Sequence, residues 1–396
     1  MSTTVPTMPV SAISAEEREA ILEAVREFAT TALAPHALEW DEKKHFPVDT
    51  LRSAGELGLG GIYVREDHGG TGLGRSEAVA IFEELAQGDP TIAAYITIHN
   101  MVAWMIDTYG TDAQRAEWLP NMTAMTDLGS YCLTEPGAGS DAAAITTSAI
   151  RSGDDYVLTG VKQFISGAGS SAVYIVMART GEPGARGISA FIVPDGTPGL
   201  SFGPNEKKMG WNAQPTRQVI LDEVRIPAAN LLGHEGQGFK IAMSALNGGR
   251  LNIAACSIGG AQWALDRAIR YVHERFTFGE ALAEKQSVVF ALADMATELR
   301  AARALVRDAA AALDAHSAGL SVPDVSLQCA MAKRFATDAG FSVANQALQL
   351  HGGYGYLHDY GIEKVVRDLR VHQILEGTNE IMRVIIGREL LGGGSK

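Results

Sequence analysis

Cysteine is scarce in this sequence and has no pattern: Cys132, Cys256 and Cys329 are the three in 396 residues. There is no Cys-x-x-Cys pair and no short spacing to histidine, so a structural zinc site has no ligand set. The three read as small core residues of a reducing compartment. Basic runs are missing too. A formal charge of -13 and an isoelectric point near 5.3 describe a surface that repels phosphate backbones and anionic lipid, so neither nucleic acid nor membrane is an expected partner. No stretch approaches the ~18 consecutive apolar residues that span a bilayer. The absence of any Gly-Lys dipeptide removes the P-loop, and neither His234-Glu235 nor His273-Glu274 is completed to H-E-x-x-H. Phosphoryl transfer and zinc proteolysis fall away.

Two glycine motifs are present but lie in the wrong context. Gly167-Ala168-Gly169-Ser170-Ser171-Ala172 fits the dinucleotide pattern G-x-G-x-x-G/A, yet the strand-like run Val173-Tyr174-Ile175-Val176-Met177 follows where a helix is required, so a hairpin turn is expected. Gly199-Leu200-Ser201-Phe202-Gly203 fits the G-x-S-x-G elbow, but Pro204 follows at once and no helix opens.

What is there is an enzyme-sized chain, 46% hydrophobic and 20% charged, too long for one core and built for two or three domains. Residues 1–14 carry no Lys or Arg and no apolar stretch, which predicts a flexible N-terminus without a presequence, hence a cytoplasmic protein or a trimmed form of the mitochondrial matrix. From residue 15 to 126 apolar positions recur at helical steps, for example Ile21, Leu22, Val25 and Phe28. The glycine-rich residues 55–74 interrupt this pattern as loops and turns. Residues 127–235 turn to short β-rich runs at 156–158, 173–178, 188–193 and 218–221. Residues 236–396 are helical again, over 239–273, 288–315, 325–350 and 363–375, with a last helix to 391. The expectation is an α+β protein with an N-terminal helical domain, a middle β domain and a C-terminal four-helix bundle.

Where the first helical region gives way to the β region stands Tyr131-Cys132-Leu133-Thr134-Glu135-Pro136-Gly137-Ala138-Gly139-Ser140-Asp141, a loop dense in glycine and hydroxyls that lets backbone approach a ligand. Three later segments join it: Arg275-Phe276-Thr277-Phe278-Gly279, Gln349-Leu350-His351-Gly352-Gly353-Tyr354-Gly355, and Ile374-Leu375-Glu376-Gly377-Thr378-Asn379-Glu380. Together, in this order, they resemble the acyl-CoA dehydrogenase family.

The resemblance implies FAD as cofactor. Tyr131, Leu133, Thr134 and Ser140 would border the flavin, Ser140 also facing the CoA arm, while Phe164, Ile165 and Ser166 would line its ring; family members often carry Trp and Thr where this chain has Phe164 and Ser166. Arg275, Thr277, Phe278, Gln286, Gln349, Gly352 and Gly353 match positions that reach the adenosine diphosphate of a FAD bound mainly by the neighbouring subunit, so the resemblance implies a homo-oligomer, a tetramer as a dimer of dimers. Thr378 and Glu380 join the cofactor set, and Asn247, Arg250 and Gly377 the substrate set. Read singly, Arg275 completes a helix dipole, Gly352-Gly353 ends a helix, and Phe278 and Tyr354 are core aromatics.

Desaturating an acyl thioester needs a base for the α proton and an acceptor for the β hydride, and the resemblance gives the first role to Glu376 and the second to the flavin. Some family members place the base on the earlier helix, where this chain has Asn247-Gly248-Gly249-Arg250 and so no carboxylate. The segments Phe164-Ile165-Ser166-Gly167-Ala168-Gly169, Gly210-Trp211-Asn212-Ala213-Gln214-Pro215-Thr216-Arg217, Leu246-Asn247-Gly248-Gly249-Arg250 and Val371-His372-Gln373-Ile374-Leu375 resemble within the family the members acting on short branched acyl-CoA, isobutyryl-CoA of valine breakdown foremost, with butyryl- and 2-methylbutyryl-CoA as alternatives. No arginine stands in residues 90–102 to receive a distal carboxylate, and His99 there reads as a core histidine. The electron acceptor implied is an electron-transferring flavoprotein. Two rivals are weighed against this: an acyl-CoA oxidase, whose relatives carry an extra C-terminal helical domain, and a DNA-binding branch with a basic C-terminal extension. Neither extension is visible in this sequence.

Overall fold

Ser14 and Thr111 show how local chemistry starts the helices. The Ser14 hydroxyl accepts from the Glu17 amide while the Glu17 carboxylate accepts from the Ser14 amide, and Thr111 and Gln114 repeat the exchange. The computed structural model describes residues 13–392; of the stretch expected to be flexible, residues 1–12 lie outside the described residues. The N-terminal helices are α1 (Ala15–Phe28), α2 (Ala37–Lys43), α3 (Val48–Glu56), α4 (Arg75–Gly88), α5 (Pro90–Tyr109) and α6 (Asp112–Thr123). Asp89 caps α5 with Pro90 at its first position.

The middle region is one sheet of β1 (Gly129–Cys132), β2 (Ser148–Ser152), β3 (Asp155–Ser166), β4 (Val173–Arg179), β5 (Ile188–Pro194), β6 (Leu200–Phe202), β7 (Thr216–Pro227) and β8 (Leu231–Leu232). Its order is β6-β7-β3-β2-β4-β5-β8, with β1 parallel to β4. Strand β4 reads as a continuous apolar run because both its faces are covered. Val173, Ile175 and Met177 join a core with α5 and α7 (Gly238–Glu274), while Tyr174, Val176 and Ala178 join the core inside the sheet. After α7 come the small hairpin β9 (Phe276–Thr277) and β10 (Glu280–Ala281), then α8 (Gln286–Ser317), α9 (Val325–His351), α10 (Ile362–Arg370) and α11 (Asn379–Leu390).

The three-part α+β architecture is as the sequence predicts, but the two helical regions share one hydrophobic core. It runs from Val25, Phe82 and Ile92 through Leu251 and Ala255 to Leu299, Val343 and Leu369. No described helix is long and apolar enough to cross a membrane.

Two expectations change. The helix predicted over residues 363–375 stops at Arg370, followed by a 3-10 turn, Val371–Gln373. Beyond it the backbone reverses, with Glu376 at φ +56° and Gly377 at φ +87°. The apolar periodicity persists because His372 and Leu375 still face the core, although the chain is no longer helical. Gly55, read as the start of a loop, lies inside α3. It is glycine because α3 presses on residue 124: a Cβ there would meet the Ala124 carbonyl oxygen.

Candidate active site

The reversal at Glu376 is strained, since a non-glycine residue at positive φ persists only where its surroundings hold it. Two buried cations do so. Arg250 Nε donates to the Glu376 carbonyl oxygen at 3.3 Å while its Nη1 donates to Asn247 Oδ1 at 2.8 Å. Lys333 Nζ donates to the Gly377 carbonyl oxygen at 2.8 Å and to Asn379 Oδ1 at 2.9 Å. Thr378 then caps α11, accepting from the Ile381 amide.

The turn lays the Glu376 carboxylate on α7 at Gly249, where an added Cβ would stand 2.5 Å from Oε2. Glycine at 249 is therefore the complement of glutamate at 376, and a carboxylate from either residue would enter the same space. The neighbouring Gly248 admits Arg75, whose guanidinium stacks 3.5 Å from the centre of the Tyr63 ring. Oε2 of Glu376 is buried and has no hydrogen-bond partner among the described residues. Burial pushes the carboxyl up to about 7, against the opposing charges of Arg250 and Lys333. A carboxyl so poised exchanges a proton near neutral pH.

In the β domain, β1, the loop after it and β3 bring Tyr131, Leu133, Thr134, Phe164, Ile165 and Ser166 together. Gln163 N donates to the Thr134 carbonyl at 2.8 Å, and Ser130 Oγ to the Ser166 carbonyl at 2.6 Å. The Tyr131 hydroxyl is buried without a hydrogen-bond partner among the described residues, and burial, with the Glu376 charge second, raises its pKa. Phe164 sits at φ +60° and is 63% exposed, an aromatic face offered outward. Ser140 is exposed, and nothing lies within 4 Å of a Cβ built on Gly137 or Gly139.

Arg275, Thr277, Gln349, Gly352 and Gly353 line one cavity of about 460 Å³, with Tyr271 and Tyr354. Gln286 and Phe278 do not line it. Phe278 is 99% exposed at φ +56°, so the core reading of this aromatic is overturned. Gly352, at φ +60°, does end α9, so the helix-ending role and the cavity lining coincide. Glu380 is exposed in the first turn of α11. His99 is a core histidine, its Nε2 at 2.8 Å from the Met122 carbonyl and its Nδ1 accepting from the Gly129 amide.

Three features at this site escape a reading of motifs. Lys162, fully buried on β3, donates to the Leu133 carbonyl and to Glu135, whose carboxylate also accepts from Thr146 and Thr147. This anchors the loop after β1 to the strand bearing Phe164. Arg75 comes from outside residues 90–102, and Lys333 from the middle of α9. The available signal was the same for Lys162 and Lys333: a charged residue at an alternation or helix position that should be apolar.

Three family models match, described as the N-terminal domain of acyl-CoA dehydrogenase over residues 15–126, its middle domain over 130–224 and its C-terminal domain over 236–391. Isobutyryl-CoA dehydrogenase, mitochondrial, of Bos taurus is 53% identical over 95% of this chain and 89% of its own length. Among solved structures, butyryl-CoA dehydrogenase from Megasphaera elsdenii aligns with a TM-score of 0.91 at 37% identity, covering 96% of this chain and all of that one. A glutaryl-CoA dehydrogenase from Mycobacterium smegmatis in complex with FADH2 aligns at 0.90 and 29% identity, over 96% of each chain. With an unpartnered carboxyl laid against Gly249 and matches to all three domains, this chain belongs to the acyl-CoA dehydrogenase family, as an oxidoreductase.

Proposed function

We propose that this protein desaturates a short branched acyl-CoA, isobutyryl-CoA first, at its α,β bond, with Glu376 as the base and FAD as the hydride acceptor. The observation that carries the reading is the Glu376 carboxyl itself, with Oε2 buried and unpartnered and its pKa brought to about 7. The similarity to a protein named isobutyryl-CoA dehydrogenase supports the substrate. The butyryl-CoA dehydrogenase neighbour keeps straight-chain butyryl-CoA in view.

The residues present fit FAD in two places. The open Gly137 and Gly139 backbone, the outward Phe164 and the unpartnered Tyr131 hydroxyl suit a flat polar ring, held by Tyr131, Leu133, Thr134, Ser140, Phe164, Ile165 and Ser166. The cavity of Arg275, Thr277, Gln349, Gly352 and Gly353 offers a cation, donors and bare glycine backbone to a diphosphate, with Phe278, Gln286, Thr378 and Glu380 as flanking residues. Arg275, at the C-terminal cap of α7, follows Arg250 of that helix by 25 residues, roughly 37 Å at 1.5 Å per residue, further than one dinucleotide spans. That separation supports the arrangement the resemblance implies, in which the cavity of one chain serves the cofactor of another in a homo-oligomer, a tetramer as a dimer of dimers. Phe276, Phe278, Phe290 and Tyr356, all exposed, give that contact an apolar surface.

FAD, when bound, supplies the acceptor for the hydride that leaves the β carbon. The chain's own residues do the rest. Glu376 takes the α proton, and losing its buried negative charge favours that transfer. The thioester carbonyl accepts from the Glu376 amide, which no backbone carbonyl engages among the described residues. Gly377 keeps side-chain bulk from that approach, and Ser140, Asn247 and Arg250 border the CoA arm. Electrons leave to an electron-transferring flavoprotein, in the cytoplasm or the mitochondrial matrix.

The test is anaerobic bleaching of the flavin by isobutyryl-, butyryl- and 2-methylbutyryl-CoA, compared by rate over affinity. Isobutyryl-CoA is expected to lead; a lead for butyryl-CoA transfers the assignment to the straight-chain enzyme. Glu376→Gln should keep the flavin and reduce it on the order of 10²–10⁴ times more slowly. Reduction of that variant at the wild-type rate would put the base elsewhere, and fast peroxide formation without a carrier would favour an oxidase.

A further inference from the structure

Lys333 is wholly buried in α9, inside a run, Cys329-Ala330-Met331-Ala332, that otherwise packs the bundle. A buried ammonium ordinarily sits against a carboxylate. Here no carboxylate oxygen lies within 4.0 Å among the described residues, and Nζ donates to the Gly377 carbonyl and Asn379 Oδ1. Asn379 is itself fixed, its amide donating to Thr337 Oγ1 at 3.0 Å and Asp338 Oδ1 at 2.7 Å. Lys333 thus holds the residue after the candidate base together with an Asn379 side chain that is itself hydrogen-bonded to α9.

We propose that Lys333 is a positioning residue with an electrostatic role: it locks the turn at residues 376–378 and holds a positive charge, without an ion-pair partner among the described residues, one residue away from the Glu376 side chain. The proposal concerns that carboxyl and rests on the reading of Glu376 as base only for its effect on rate.

The surrounding charges leave this role to Lys333 and Arg250. Arg250 on α7 spends its guanidinium on the Glu376 carbonyl and Asn247. Asp338 on α9 is met by Arg383 of α11 and by Arg334, and its charge acts on Lys333 less than that of Glu376 does. Glu380 is exposed. Burial keeps Cys329 of α9, Tyr63 before α4 and Tyr131 of β1 protonated, and His372 neutral. Arg75 stacks on Tyr63. Burial also brings Lys333 down to about 8, with Glu376 the largest charge opposing that fall.

The experiment uses the holoenzyme with Lys333→Gln, which keeps a donor and removes the charge, and Lys333→Arg, which keeps the charge. Two quantities are followed against pH: the infrared C=O band of the protonated Glu376 carboxyl, assigned by its loss in Glu376→Gln, and single-turnover flavin reduction by isobutyryl-CoA. In Lys333→Gln the band's midpoint and the acid limb of the rate should both rise by about one unit, a rate about tenfold lower on that limb, with a plateau at high pH. In Lys333→Arg the midpoint should coincide with the wild type's. A band that stays in place in Lys333→Gln while the rate falls evenly at all pH overturns the proposal. If the Gln variant does not fold, a midpoint displaced by a unit in Lys333→Arg overturns it equally. A band that moves without the rate limb upholds the coupling and instead sinks Glu376 as base.

Discussion

Glu376 is held where its charged form is disfavoured, and this has a consequence for stability as well as for proton transfer. Its folded pKa of about 7 lies above the ordinary value of 4.5. The carboxyl therefore supports the folded state fully below pH 4.5, and that support is lost as the pH rises through 7. At about 1.4 kcal/mol per unit the loss is on the order of 3 kcal/mol. Glu376→Gln should thus melt several degrees above the wild type at pH 8 and with it at pH 4.5, in thermal unfolding of the flavin-containing protein without substrate. An equal gap at both pH values would assign the effect to packing. Gly249→Ala is the steric counterpart. Alanine favours a helix over glycine by about 1 kcal/mol, but its Cβ would crowd Oε2, so flavin reduction should fall on the order of 100-fold while α7 stays intact by circular dichroism. Glu376 was legible as a residue because its segment is distinctive. Gly249 was legible only as an absent carboxylate; that it makes room for Glu376 needed the turn.

The elements that aim this turn meet at a buried ion cluster. Lys364 of α10 donates to Asp89, the cap of α5, at 3.0 Å and to Asp368 at 2.7 Å. Asp368 also accepts from Thr91 and from the Trp211 amide of the β domain, so one lysine joins all three parts of the chain. Lys364→Met would leave two buried carboxylates facing each other, a loss of about 3–5 kcal/mol. A denaturant midpoint within error of the wild type's would contradict this. Helix α10 was visible in the sequence, but its end was not. Apolar spacing continues through residues 371–375 because Val371, His372 and Leu375 still face the core, and spacing alone does not distinguish a helix from a turn that buries the same residues.

At the scale of the whole molecule, the residues proposed to hold FAD fall into a β-domain group and a cavity beyond the C-terminal end of α7. If that cavity completes the site of a second copy, Arg275→Ala should weaken FAD retention tenfold or more on gel filtration and leave the dependence of the rate on acyl-chain shape unchanged. Retention equal to the wild type's would detach the cavity from the cofactor.

The order of helical, β and helical regions and the identity of the motif residues were determined by the sequence itself, because periodicity and residue type are local properties. So was the core fate of His99, whereas residues 167–172, expected to form a hairpin turn, instead join β3 to β4, two strands that do not pair because β2 lies between them. Tertiary structure alone decided that Phe278 faces outward, that Lys162 ties the loop after β1 to β3, and that Gly249 receives the Glu376 carboxylate. The same holds for the grip of Lys333 on the turn. The reason is physical: burial, strain and the field at a carboxyl are sums over groups that lie far apart along the chain, and only folding brings those groups within a few ångströms.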